Sequence, residues 1–115
     1  MTVVVLLSAA LICLKGECYP ALVGRNTLPG QYRLTRERVL DPLYGGDVLA
    51  YRETATEIYA VHRVWLGRPG EHRAERLASG GSSARHNVTG GCINVTPKTY
   101  DLLVAASVTD LEIRP

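Results

Sequence analysis

The run I-Y-A-V-H-R-V-W constrains this chain more than any other stretch, because Ile58, Ala60, His62 and Val64 alternate with Tyr59, Val61, Arg63 and Trp65. Strand side chains repeat with a period of two. The run therefore reads as a strand that carries His62 on the same face as Ala60 and Val64. Further short β-favouring runs occupy residues 3–7, 10–14, 19–23, 31–34, 48–51 and 111–113. They are separated by turn signals at Pro29-Gly30 and in L-Y-G-G-D. T-R-E-R-V-L-D-P reads as a loop or one helical turn stopped ahead of Pro42. One helix is credible, in T-P-K-T-Y-D-L-L-V-A-A, with Thr96 as cap, Pro97 at the first helical position and Tyr100, Leu103 and Val104 on the apolar face. The expected fold is mostly β, a compact barrel or sandwich with that helix beside it.

A chain of 115 residues supports one core and no second module, so residues 1–115 are expected to form a single domain. Thirteen Lys and Arg against eleven Asp and Glu give a formal charge of +2, with the arginines scattered among glutamates. Nucleic-acid binders cluster basic residues on one face, and nothing here does so. The opening T-V-V-V-L-L-S-A-A-L-I-C-L-K fits either two strands joined by a short connection or a signal peptide, although it lacks a positive leading region. Its apolar run ends at Lys15, short of the roughly 18 to 20 residues that a membrane span requires. Cys13 and Cys18 flank L-K-G-E and would face each other across a hairpin, either as a disulfide or as two half-buried thiols. Nothing in the chain sets an oligomeric state.

Cys92 sits in N-V-T-G-G-C-I-N-V, behind Gly90 and Gly91. A thiolate attacks where a thiol does not, so a catalytic cysteine needs a base or another pKa-lowering feature. Three histidines are available: His62 on its strand, His72 in a charged loop, and His86 six residues before the cysteine. The glycines allow a sharp turn and leave amides free to face a developing oxyanion, but a glycine-flanked cysteine also occurs in ordinary tight turns. His62, His72, His86 and Cys92 lack any paired metal-ligand spacing, so no metal and no cofactor are expected. Residues 67–89 read as a loop, longer than a compact domain leaves unstructured unless it covers or recognises something.

T-G-G-C-I-N resembles the signature of the L,D-transpeptidase catalytic domain (the YkuD-like family), Y-A-V-H-R-V-W its histidine-bearing strand, and T-L-P-G-Q-Y its T-P-x-G-x-F segment. The three matches fall in the family's order and extend over essentially the whole chain. The resemblance implies that Cys92 is the nucleophile and His62 its partner, with Gly91 and Cys92 supplying oxyanion-hole amides in the Gly90-Gly91 turn. It further implies that Thr89 fixes the turn through its hydroxyl and that Asn94 stands at the edge of the site. Arg73 or Arg76, in the loop between histidine and cysteine, would meet a carboxylate of the stem peptide; alternatively Glu71 and Glu75 partly neutralise them in a plain surface loop. His86 is the second choice of base. Gly90 stands where many members have a histidine, and Arg63 where many have Gly or Ser. The activity implied is acyl transfer on peptidoglycan stem peptides through a Cys92 thioester, or trimming of those stems, in the periplasm or cell envelope of a bacterium. The rivals are a noncatalytic peptidoglycan-binding domain and a structural domain with Cys92 as core filler. His62 is expected within about 3 to 4 Å of the sulfur, and Cys92 is expected to titrate below the ordinary value of about 8.5.

Overall fold

The computed structural model describes residues 1–115. Its strands are β1 (Thr2–Leu6), β2 (Leu11–Leu14), β3 (Glu17–Pro20), β4 (Gly30–Arg33), β5 (Thr35–Arg38), β6 (Asp47–Glu53), β7 (Ile58–Arg63), β8 (Ile93–Val95) and β9 (Asp110–Arg114), with helices α1 (Arg73–Ala78) and α2 (Pro97–Ala105). They form a five-stranded sheet in the order β3-β2-β1-β9-β4 and a four-stranded sheet in the order β5-β6-β7-β8. Two pairings are parallel, β1 with β9 and β7 with β8; the rest are antiparallel. This is the mostly β architecture that the alternating runs imply.

Alternation builds the core. Val3 and Val5 of β1, Ile12 of β2, and Leu111 and Ile113 of β9 turn inward from one sheet. Leu49, Tyr51, Val61, Ile93 and Val95 meet them from the other, and Tyr100 and Leu103 close the core from α2. That helix starts as its sequence requires: the Thr96 hydroxyl accepts from the Thr99 amide at 3.1 Å, and Pro97 occupies the first turn. Residues 3–7 and 10–14 form an antiparallel pair, with Val4 opposite Cys13. β2 and β3 then place Cys13 directly opposite Cys18, and the two are joined as a disulfide. No helix is long and apolar enough to cross a membrane.

Two local expectations need correction. T-R-E-R is not a loop or helical turn but strand β5, exposed throughout and paired with β6 from Thr35–Ala50 to Arg38–Asp47. Its sequence has weak strand propensity, and pairing to an already buried neighbour overrides that preference. I-N-V forms a fully buried strand, β8. Residues 67–89 are not plain loop: they contain a 3-10 turn at Pro69–Glu71, helix α1, and another 3-10 turn at Ser82–Arg85.

Arg85 explains why that connection is ordered. Its side chain is buried, yet it donates to the Ala10 (3.1 Å), Ser79 (2.7 Å), Gly81 (3.1 Å) and Ala9 (3.1 Å) carbonyls. A buried guanidinium is tolerable only when its fork is filled in this way. Leu77 of α1 adds an apolar anchor. The far end of the connection is held at Gly24, which bridges to Thr89 so closely that a Cβ there would lie 1.8 Å from the Thr89 carbonyl oxygen.

Gly24→Ala is therefore expected to destabilise the protein by roughly 2 kcal/mol or more through overpacking. Gly80→Ala, where a Cβ meets nothing within 4 Å, is expected to stay within about 0.5 kcal/mol of wild type. Urea midpoints measure both, and equal midpoints for the two variants would refute the packing argument.

Candidate active site

His62 reaches the site because it follows Val61 on β7. Val61 points into the core, so His62 points to the opposite face. β8 runs parallel beside it with His62 paired to Asn94, which brings the Asn94 side chain to the same face. The turn that enters β8 carries Cys92. Thus β7 and the turn into β8 deliver histidine and cysteine to one cavity of about 280 Å³, which Tyr44, Tyr59, Trp65 and Arg73 also line, with Asn94 buried beside the histidine.

The cysteine turn is held by its carbonyls. Gly90 O accepts from the Asn26 amide at 3.1 Å. Gly91 O accepts from the Thr27 hydroxyl at 3.0 Å and from the Tyr51 hydroxyl at 2.6 Å. Cys92 O accepts from the Thr89 hydroxyl at 2.6 Å, the turn-fixing bond expected of that residue. The Gly91 and Cys92 amides donate to no acceptor within the protein. Gly91 must be glycine, since a Cβ there would lie 2.5 Å from the Tyr59 ring, whereas one at Gly90 would meet nothing within 4 Å.

His62 is almost wholly buried. Its Nδ1 lies 2.6 Å from the Arg63 carbonyl, which can only accept, so Nδ1 carries the proton in the neutral ring and Nε2 keeps its lone pair. Asn94 Nδ2 faces that Nε2 at 3.5 Å. The Asn94 amide has one consistent orientation, because its Oδ1 accepts from the Trp65 amide at 3.0 Å and from Arg73 Nη1 at 3.1 Å. Burial pushes the His62 pKa down to about 4, opposed by the Arg63 carbonyl bond and assisted by the Arg73 charge.

The expectations for the pair require revision. His62 and Cys92 line one cavity, but no hydrogen bond joins them; the thiol instead points to the Ile58 carbonyl at 3.9 Å. Nor is the thiol acidified. Burial raises its pKa above the ordinary value, outweighing the lowering effects of the Ala60 backbone and Arg73, and Glu57 adds to the rise. The resting pair is therefore a neutral imidazole and a neutral thiol, because the pocket that shelters the sulfur disfavours its anion.

The remaining candidates separate cleanly. Asn94 lies beneath the site and not at its edge, fully buried. Arg73 lines the cavity, bonded to Glu71 at 2.9 Å and lying over the Trp65 ring at 5.2 Å. Arg76 is occupied elsewhere, donating to the Ala84 and His86 carbonyls at 2.7 and 3.2 Å. His86 contacts the Ser8 carbonyl at 3.1 Å and does not line the cavity. Sequence reasoning missed Tyr44, whose ring stands edge-on to His62 at 4.7 Å, and Thr27 and Tyr51, which hold Gly91. Thr27 opens T-L-P-G-Q-Y and carried a signal of its own; Tyr44, in a turn, carried none.

No protein-family model matches the chain, and no curated protein does. Solved structures do match its fold. An LD transpeptidase in complex with imipenem superposes with a TM-score of 0.61 at 22% identity, over 98% of this chain and 58% of that one. An L,D-transpeptidase from Mycobacterium smegmatis gives a TM-score of 0.60 at 22% identity, over 99% and 58%. L,D-transpeptidase 3 from Mycobacterium tuberculosis, in complex with a faropenem-derived adduct, gives a TM-score of 0.60 at 19% identity, over 99% and 60%. The likeness is one of fold, and the chain spans about three-fifths of the length of these structures.

Burial of neutral His62 makes stability depend on pH. The folded pKa of about 4 lies below the ordinary 6.5, so the folded state resists protonation. The stability this residue contributes is complete above about pH 6.5 and is lost as pH falls towards 4, by roughly 3 kcal/mol in all. Urea unfolding across this window is expected to be markedly flatter for His62→Gln than for wild type; parallel profiles would contradict the assignment.

Proposed function

We propose that the protein is a cysteine acyltransferase acting on peptidoglycan stem peptides, an L,D-transpeptidase-type enzyme with Cys92 as nucleophile and His62 as general base. The observation that carries this reading is the convergence, in one cavity, of the Cys92 thiol, a neutral His62 with its Nε2 lone pair free of a proton, and two unpaired amides at Gly91 and Cys92. The fold likeness to L,D-transpeptidases supports it at the level of architecture.

On this reading the thiol proton passes to His62 Nε2 as sulfur attacks the carbonyl that joins an L-centre to a D-residue of the stem. The thiol must first rotate from the Ile58 carbonyl towards the ring. The tetrahedral oxyanion takes hydrogen bonds from the Gly91 and Cys92 amides. His62 then protonates the departing amine of the D-residue, leaving a Cys92 thioester. An acceptor amine resolves it to a crosslink, and water in its place yields a trimmed stem. Asn94 holds the base and Thr89 the turn, so both act through others. Arg73 supplies a guanidinium for a stem carboxylate, a task its planar fork suits. Such a substrate lies outside the cytoplasmic membrane, which places the protein in the periplasm or cell envelope on the same reading.

Incubation with a carbapenem, followed by intact-mass analysis, tests the nucleophile. A single adduct is expected on wild type and none on Cys92→Ala. Because the acylating pair starts neutral and His62 takes the thiol proton during attack, the rate is expected to be nearly flat between about pH 6.5 and 8 and to fall at lower pH as His62 becomes protonated. A folded wild type without an adduct would point to the noncatalytic peptidoglycan-binding alternative.

Arg73→Ala is expected to lower kcat/KM about tenfold for an acidic tetrapeptide stem, with much less effect on a stem amidated at its side-chain carboxylate. Equal losses on both stems would remove the carboxylate role.

A further inference from the structure

We infer that the Arg63 side chain is a positioning element for the base, acting on His62 through the Pro42–Tyr44 turn whose tyrosine covers the imidazole; the role rests on the reading of His62 given above. Its backbone carbonyl takes the Nδ1 proton at 2.6 Å and so sets the ring's tilt and tautomer. Its side chain turns away from the cavity and runs beneath the Pro42–Tyr44 turn, which carries the ring that covers His62. There Nη1 reaches the Tyr44 carbonyl at 3.1 Å, the Gly45 carbonyl at 3.4 Å and Asp47 Oδ1 at 3.1 Å.

The turn is built around the guanidinium. Gly45 adopts a left-handed φ of +79°, and a Cβ at that position would lie 2.9 Å from both Cδ and Nη1 of Arg63. On its other side the guanidinium lies 4.1 Å from the centroid of the Tyr100 ring. Asp47 completes the grip, because its Oδ2 also accepts from the Tyr100 hydroxyl at 2.9 Å and from Arg36 at 2.7 Å. Arg63 is thus clamped between α2 and the Pro42–Tyr44 turn, with its side chain only 22% exposed.

The consequence follows from what would replace this contact. Without the guanidinium, the Tyr44 and Gly45 carbonyls lose their donor and the turn loses its filling. Tyr44 then no longer has a reason to stay edge-on to His62, and water gains access to that face of the ring. The other groups facing His62 would remain: the Asn94 amide, the Arg73 charge, the Arg63 carbonyl and the Cys92 thiol across the cavity. A base that must receive a proton from a thiol to which it is not yet bonded depends on ring orientation, and misplacement by about 1 Å can cost on the order of a hundredfold in rate.

The test compares Arg63→Met, which keeps the stem and removes the donors, with Arg63→Lys and Tyr44→Ala. Circular dichroism establishes folding, long-range ¹⁵N NMR reads the His62 tautomer and titration midpoint, and carbapenem acylation reads the limiting rate and the half-saturating concentration separately. For Arg63→Met the limiting rate is expected to fall at least about tenfold with the half-saturating concentration nearly unchanged. The His62 midpoint is expected to rise from about 4 towards 6.5, with the Nδ1-protonated tautomer kept, since the carbonyl of residue 63 belongs to the backbone. Arg63→Lys is expected to recover part of the rate, since an ammonium can still meet the turn carbonyls. If Arg63→Met does not fold, Tyr44→Ala carries the same readouts, because it leaves the Asp47 and Tyr100 contacts intact. A wild-type midpoint and rate in a folded Arg63→Met, or in Tyr44→Ala where that variant stands in for it, would make Arg63 purely structural and overturn the inference. Should the wild-type protein form no adduct, the acyltransferase reading fails, and the midpoint alone decides this one.

Discussion

The parallel pairing of β7 with β8 is the contact on which the site depends. Pairing Val61 with Ile93 sends both side chains to the core, and pairing His62 with Asn94 sends both to the site face. A one-residue slip of β8 would flip its side chains and turn the asparagine from His62 into the apolar core. The register is enforced from both sides, since Val61, Ile93 and Val95 sit in the shared core, and Leu22 bridges to the Asn94 backbone on the outer edge of β8. The hydrophobic core and the chemistry are therefore held by the same hydrogen-bond ladder.

Burial shapes the reactivity of the pair as much as its geometry does. His62 is held neutral by desolvation, with its proton committed to the Arg63 carbonyl, and the Cys92 thiol is held neutral by the same loss of water. A preformed thiolate–imidazolium pair would need both groups to be charged where the pocket favours neither. The arrangement suits a thiol that surrenders its proton only when an electrophile and oxyanion donors are in place. Arg73 is the charge that leans on both partners, depressing the imidazole and favouring the thiolate.

The connection between histidine and cysteine shows how buried polar groups can organise a segment of low intrinsic order. Arg85 fills its fork with carbonyls from the β1–β2 connection and from its own segment, so the segment docks by hydrogen bonds more than by apolar area. Arg76 works in the same way within the segment. Two arginines are thereby turned away from the cavity, and Arg73 is the one of the three that lines it. Composition alone treats all three alike; only the carbonyls within reach distinguish them.

Local pattern was enough to find what depends on local pattern. The period of two around His62, the Thr96-Pro97 helix start, the turn glycines beside Cys92 and the Cys13–Cys18 hairpin are consequences of neighbouring residues, and each appears in the structure as the sequence implies. Features that depend on distant partners were not legible. β5 is a strand because β6 lies beside it, Asn94 is buried because β8 is parallel to β7, and Tyr44 covers His62 because Arg63 fills the turn beneath it. The state of the Cys92 thiol belongs to the same group. A nearby histidine in the chain suggests acidification, but the balance between a partner's charge and lost hydration is set by how the whole pocket closes, and here lost hydration prevails.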